Sequence, residues 1–232
     1  SGNIYLTGFT NSASAIASSG AYQSVYAGGG TGWTLPYPAD AFLARFNASG
    51  VRQWGTYYGG SLDEWALGIK ADNSGNAVLT GVTSSTSGIA TTGAIQSFFG
   101  GSGSFGYGDA FVAEFSSAGA LQCGTYYGGT GDDWGASIAI DGNNNVLVAG
   151  WTESPNGPGT SGMASAGAHH TAYAGGGSDA FLAKLDNCAA SLPVELISFT
   201  ATLVNNNAVL TQWTTTAEID NDRPDRIRVG GS

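Results

Sequence analysis

Apolar positions along this chain come in short runs bounded by glycine, serine, asparagine and aspartate, and the runs return at a fixed long interval. The best-preserved copy predicts four strands: Trp65–Ala71 (WALGIKA), Ala77–Thr83 (AVLTGVT), Asp109–Phe115 (DAFVAEF) and Ala120–Tyr127 (ALQCGTYY). The runs alternate in part and are rich in β-branched and aromatic residues, which suit a pleated, buried surface. DNSGN (Asp72–Asn76) and SSAG (Ser116–Gly119) supply turns, and Ser84–Gly108 forms a long loop. No segment sustains the 3.6-residue apolar period of a helix. The alanine-rich stretch Ser12–Ala21 predicts one helical turn and no more.

GTYYGG at Gly55–Gly60 returns at Gly124–Gly129, 69 positions on. DAFLARF (Asp40–Phe46) returns as DAFVAEF (Asp109–Phe115) and DAFLAKL (Asp179–Leu185), at spacings of 69 and 70. GNIYLTG (Gly2–Gly8) returns as GNAVLTG (Gly75–Gly81) and NNVLVAG (Asn144–Gly150). A fixed long period means one supersecondary unit copied and stacked. Four antiparallel strands per unit predict an all-β fold, a β-propeller of four-stranded blades. Nearly three blades are expected: an incomplete first over 1–60, a second over 61–129 and a third over 130–191. Blade one lacks its first strand. Blade three has Trp134–Asp141, Asn145–Thr152 and Asp179–Asp186 but no fourth, and the expected total is eleven strands. Closed propellers need about four blades or more. The chain is therefore expected to be a fragment, or to close by association, as a homodimer completing one ring. The alternative is that Leu192–Thr216 folds back over an edge.

The blocks GTYYGG-[ST]-x-D-[ED]-W, D-x-x-G-N, TG-x-T, GA-x-Q and DAF-[LV]-A-[KRE]-F make residues 1–187 resemble the SBBP family, the β-propeller repeats of secreted bacterial proteins. Residues 192–219 break the period. LPVELISFTATL and WTTTAEIDND are similar to the segment preceding the type IX secretion sorting domain of Bacteroidetes proteins. A C-terminal β-hairpin is expected over 192–222, turning at Asn205–Asn207, with an irregular and non-native tail over 223–232. The chain opens within a repeat, without a signal peptide, as a processed protein or excised piece would. Together the resemblances imply a propeller and an exported protein, extracellular or on the outer cell surface.

Only 10% of residues are charged, so serine, threonine, asparagine and glycine must supply most of the polar surface. The net charge of −10 leaves no basic patch. Phosphate backbones and anionic membranes are therefore poor partners, and no run approaches transmembrane length. Cys123 and Cys188 are too few for a disulfide scaffold or a paired-cysteine metal site; a bond between them would need an oxidising compartment.

Candidate chemistry is sparse. His169 and His170 are candidates for acid–base work, yet GAHHT aligns with GAYQS and GAIQS, so both substitute template positions. Glu153 falls in an insertion of blade three and is the remaining catalytic candidate. Asp72 and Asp141 are metal candidates, because DNSGN and DGNNN offer closely spaced oxygens and Ca²⁺ takes about six to eight. Otherwise no cofactor is expected. GSGSFG (Gly101–Gly106) fits GxGxxG only formally, with no βαβ unit around it. The long loops carry Trp33, Tyr37, Phe105 and Tyr107 outside the template. Flat apolar rings beside short polar arms are what sugar and protein recognition use. By contrast Trp65, Trp134, Tyr57, Tyr58, Tyr126 and Tyr127 recur in register and read as packing between blades.

The expected function is a secreted or cell-surface propeller module that binds a glycan or protein through its loops without catalysis. The alternative is an extracellular, calcium-dependent hydrolase of lactonase or glycosidase type, with its site at the channel mouth; this rests on fold analogy alone.

Overall fold

The computed structural model describes residues 2–28, 38–155, 163–165, 168–169 and 173–185, and the backbone of two strands at 196–204 and 208–215. The chain divides into two compact units, Ser1–Ala190 and Ser191–Ser232. In the first unit three antiparallel sheets follow one another. The first holds β1 (Ile4–Thr10), β2 (Asp40–Phe46) and β3 (Arg52–Tyr58). The second holds β4 (Glu64–Ala71), β5 (Ala77–Thr83), β6 (Asp109–Phe115) and β7 (Leu121–Tyr127). The third holds β8 (Asp133–Ile140), β9 (Val146–Thr152) and β10 (Asp179–Leu185). In the second unit β11 (Leu196–Val204) pairs antiparallel with β12 (Ala208–Thr215), forming a hairpin. Its turn, Asn205–Asn207, and the tail from 216 onward lie outside the described residues. Among the described residues the repeats hold ten strands, not the expected eleven: three in the first sheet, four in the second and three in the third.

The copies agree in detail. Asp40 faces Thr10, Asp109 faces Thr83 and Asp179 faces Thr152. The first two strands slip register at Ala66/Gly68 and again at Gly135/Ser137. The last two slip at Arg45/Phe46 and at Glu114/Phe115. Turn chemistry repeats as well. Gly75 turns the DNSGN loop at a φ of 83°, and Asn144 takes the same position of DGNNN at 65°. Asparagine is the side-chain-bearing residue that best tolerates this left-handed region.

Side chains alternate across each strand, and both faces of the second sheet are covered. Ala77, Leu79, Phe111, Ala113, Phe115 and Tyr126 meet Ala41, Leu43 and Tyr58 of the first sheet. From the other face Val78, Ala110, Val112 and Tyr127 meet Ile138, Val146, Val148, Ala183 and Leu185 of the third. This explains why β5 is buried at every position. It also explains why AVLTGVT reads as nearly continuous apolar sequence.

The long loops are largely spent covering the outer strands. Ser12–Ala21 forms bends and turns, not the expected helical turn. Its backbone is drawn onto β3 instead: Ser18 N–H donates to the Gly55 carbonyl at 2.9 Å, and Tyr57 Oη donates to the Ser12 carbonyl at 2.7 Å. In the second sheet Thr91 N–H donates to the Gly124 carbonyl at 2.9 Å in the same way. Gly55 and Gly124 are needed there, because a Cβ would strike the carbonyls of Ile16 and Ile89. The loops thus shield strand edges that would otherwise be open to pairing.

Candidate functional site

Six buried acids line the end of the sheets where these loops start, and each of them holds backbone in place. Glu64, the first residue of β4, accepts from Gly60 N–H at 2.9 Å and from the Thr83 hydroxyl at 2.6 Å. Asp133, its counterpart on β8, accepts from Gly129 N–H at 2.8 Å, from Ser154 Oγ at 2.7 Å and from Thr152 Oγ1. Asp109 accepts from Gly100 N–H at 2.7 Å and from Gln96 Nε2 at 3.1 Å. Asp40 does the same with Ala27 N–H at 2.8 Å and Gln23 Nε2 at 3.2 Å. Burial pushes Glu64 and Asp109 up to about 8, and raises Asp40 and Asp133. Donors around these carboxyls oppose the shift without cancelling it. Asp63, the fifth, accepts from Ala39 N–H at 2.9 Å.

Asp132 does the most shaping. It accepts from the N–H groups of Gly103, Phe105 and Gly108, each at 2.9 Å. Glu153 adds a second hold through Ser104, whose hydroxyl donates to Oε2 at 2.9 Å. Between them the two carboxylates fix the turn at 103–108 and so place Phe105 and Tyr107. Glu153 also proves to occupy the template position of Ser84. Its N–H donates to the Asp132 carbonyl at 2.8 Å, as Ser84 N–H does to Asp63 at 3.0 Å. The insertion therefore begins after it.

Tyr107 and Phe105 extend a row of aromatic rings across the sheets. β1 lies beside β4, and β4 beside β8. Phe9 of β1 stacks on Trp65 of β4, with centroids 4.6 Å apart and planes at 15°. Trp65 meets Trp134 of β8 edge-on at 6.0 Å. Trp134 then stacks on Trp151, its cross-strand partner, at 5.1 Å and receives Tyr107 edge-on at 4.8 Å. Phe105 stacks on Tyr107 at 5.8 Å. Both ends of the row are open: Phe9 is 46% exposed and Phe105 56%. The four rings between are partly exposed. Offset and edge-to-face contacts of this kind favour a fixed arrangement of ring faces.

Of the residues singled out by sequence, Phe105 and Tyr107 join this row, and Glu153 supports it. Phe9, Trp65, Trp134 and Trp151 belong to it and were not expected there. Trp33, Tyr37 and His170 lie outside the described residues. His169 is exposed, as are Tyr22 and Ile95 at the same template position. Asp72 and Asp141 sit at the opposite end of the strands. Asp72 accepts from the N–H groups of Ser74 at 2.8 Å and Asn76 at 2.7 Å. Asp141 accepts from those of Asn143 and Asn145, both at 2.9 Å. The Asn145 side chain is the main cause holding the Asp141 carboxyl well below its usual range, and Lys184 at 3.2 Å helps. These oxygens brace their own turns. Among the described residues no three of His, Cys, Asp and Glu come together in a way that would hold a metal ion. Cys123 is disulfide-bonded, and the chain's one other cysteine is Cys188, outside the described residues.

No curated protein matches the chain. Residues 124–158, from β7 through β9, match a family model described as a beta-propeller repeat, SBBP. The fold is all-β, and the sheets that share the register of that stretch are blades of β-propeller type.

Proposed function

We propose that this chain is a non-catalytic, exported propeller module that binds a neutral glycan along the aromatic row. The supporting observation is the run of six touching rings with both ends open to solvent. Sugar rings present flat C–H faces that stack on aromatic faces, while their hydroxyls need short polar partners at the rim. Ser104 and Glu153, hydrogen-bonded to each other next to Phe105, would supply such partners. A net charge of −10 disfavours acidic polysaccharides. Raised carboxyls elsewhere at this end are used up by backbone donors, so the row reads as a platform for binding and not as a site of bond cleavage.

Phe105→Ala should weaken binding roughly tenfold while leaving the fold intact, because the ring is a half-exposed anchor. A neutral-glycan array followed by calorimetry on the best ligand would measure this. Absence of any glycan binding by the wild-type chain, or equal affinity in the variant, would defeat the proposal.

A further inference from the structure

The first and second sheets are clasped together at one turn. Trp54 of β3 donates through Nε1 to the Ser117 carbonyl at 3.0 Å, and Arg45 of β2 donates through Nη1 to the same oxygen at 2.7 Å. The Trp54 ring also lies so near Gly119 that a Cβ there would come within 2.9 Å of it. Ser117 and Gly119 belong to the SSAG turn between β6 and β7, so side chains of the first sheet grip a turn of the second.

The repeat sets up the same contact one sheet further on, with different residues. Cys123 of β7 stands where Trp54 stands on β3, each directly ahead of GTYYGG. After β10, Asp186–Ala189 (DNCA) stands where SSAG stands. That alignment puts Cys188 at the position of Ala118, between the two residues that Trp54 touches. Glu114 replaces Arg45, and a carboxylate has no donor to offer a turn carbonyl. A cysteine side chain is also too short to reach a neighbouring turn as an indole does. Yet Cys123 is buried in the apolar cluster that joins the second sheet to the third, and it is disulfide-bonded. Cys188 is the chain's one other cysteine, and both positions fall within the compact unit Ser1–Ala190.

We infer that a Cys123–Cys188 bond replaces the Trp54 clasp, so that the third sheet is fastened to the second only in an oxidising compartment, whereas the first junction closes in any. The bond forms by thiol–disulfide exchange with a disulfide oxidant such as oxidised glutathione. One cysteine thiolate displaces one glutathione, the second cysteine displaces the other, and the two cysteine protons leave with them. Two protein thiols are oxidised and one glutathione disulfide is reduced. Once formed, the bond is shielded, because Cys123 is buried and its Sγ lies 3.9 Å from Glu114 Oε2, whose charge repels an attacking thiolate. The inference rests on the repeat and not on glycan binding at the aromatic row.

The test starts from the fully reduced chain, refolded either with oxidised glutathione or with excess reductant. Lys184 lies between the cysteines, so a non-reducing tryptic digest of the oxidised chain should give two peptides joined as one species, which reductant splits. The oxidised chain should melt about 10 °C above the reduced one, since the bond closes a loop of 65 positions. Cys188→Ala, which installs the residue that the second copy carries there, should melt with the reduced wild type and ignore reductant. In hydrogen exchange, reduction should quicken β8, β9 and β10 roughly tenfold more than β1, β2 and β3. Thiols that stay free under oxidised glutathione would overturn the inference, as would a bond joining two chains. Equal melting of the oxidised and reduced forms, or exchange that rises equally in the first and third sheets, would overturn it too.

Discussion

Gly81→Ala should lower the melting temperature by about 10 °C or more, whereas Gly142→Ala should leave it unchanged or slightly higher. Gly81 lies on β5 opposite Ala66, where β4 slips register toward Gly68. A Cβ at Gly81 would run into the carbonyl oxygen and carbon of Trp65 and the Cα of Ala66. These are backbone atoms of a paired strand, so no side-chain rotation relieves the clash. Relief requires moving β4 off β5, which breaks ladder hydrogen bonds and displaces Trp65 from Phe9 and Trp134. Overpacking of this kind costs about 3 kcal/mol or more when backbone must shift. Gly150 makes the same approach to Trp134 in the third sheet, so Gly150→Ala should behave alike. Gly142 has nothing within 4 Å of its missing Cβ and no positive φ. Alanine there mainly narrows the unfolded ensemble. Thermal melts of the three variants, side by side, would decide it. Gly81→Ala melting with the wild type would mean that the close strand contact is not a constraint.

The same strand contact shows why the fold was so legible. Strand, turn and face assignments depend on local rules: alternation, Gly or Asn where φ is positive, and aspartate at turns. A repeat states each rule up to three times, so β5 and β6 begin and end where the pattern predicts, and β4 and β7 differ by one residue at their starts. The helical turn at Ser12–Ala21 failed because alanine content outweighed what the template showed. The matching stretch after Thr83 is a loop that has to reach the outer strand.

The candidate site was less legible, because the aromatic row exists only between sheets. Phe9, Val82 and Trp151 share one template position, so nothing local marks two of them as partners of Trp65 and Trp134. Recurrence in register suggested that those two tryptophans were packing. They are packing, but against one another and at a surface. Phe105 and Tyr107 could be found because they interrupt the template. Glu153 was read as an insertion because a charged residue replaced Ser84 just where the following sequence diverges. Its hydrogen bonds to Ser104 follow from the position of Asp132 on the preceding connection, a tertiary fact.

Stability should fall as pH rises from about 5 to about 8, the reverse of what an acidic protein held by ion pairs would show. Glu64 and Asp109 have folded-state values of about 8 because burial penalises their charged forms. In the unfolded chain they titrate near ordinary carboxylate values, about 4. Between those limits the folded state holds two protons that the unfolded state has lost. Unfolding therefore releases protons, and the stabilisation, complete below the unfolded values, is lost as pH climbs through the folded ones. Each carboxyl contributes a slope of up to about 1.4 kcal/mol per pH unit. The raised Asp40 and Asp133 act in the same sense. Asp141, held low, acts in the opposite sense but only under strongly acidic conditions. A drop in melting temperature of about 10 °C or more between pH 5 and pH 8 is the expected outcome at constant ionic strength. Glu64→Gln isolates the buried carboxyl from every other titrating group. The amide imitates the protonated acid, its oxygen accepting from Gly60 N–H and its nitrogen donating to Thr83 Oγ1. The variant should keep its stability at pH 5 and lose up to about half of the slope. A melting temperature that is level or rising across this range in the wild type, or a slope untouched by Glu64→Gln, would mean that these carboxyls are ionised within the fold and that their amide and hydroxyl donors outweigh burial.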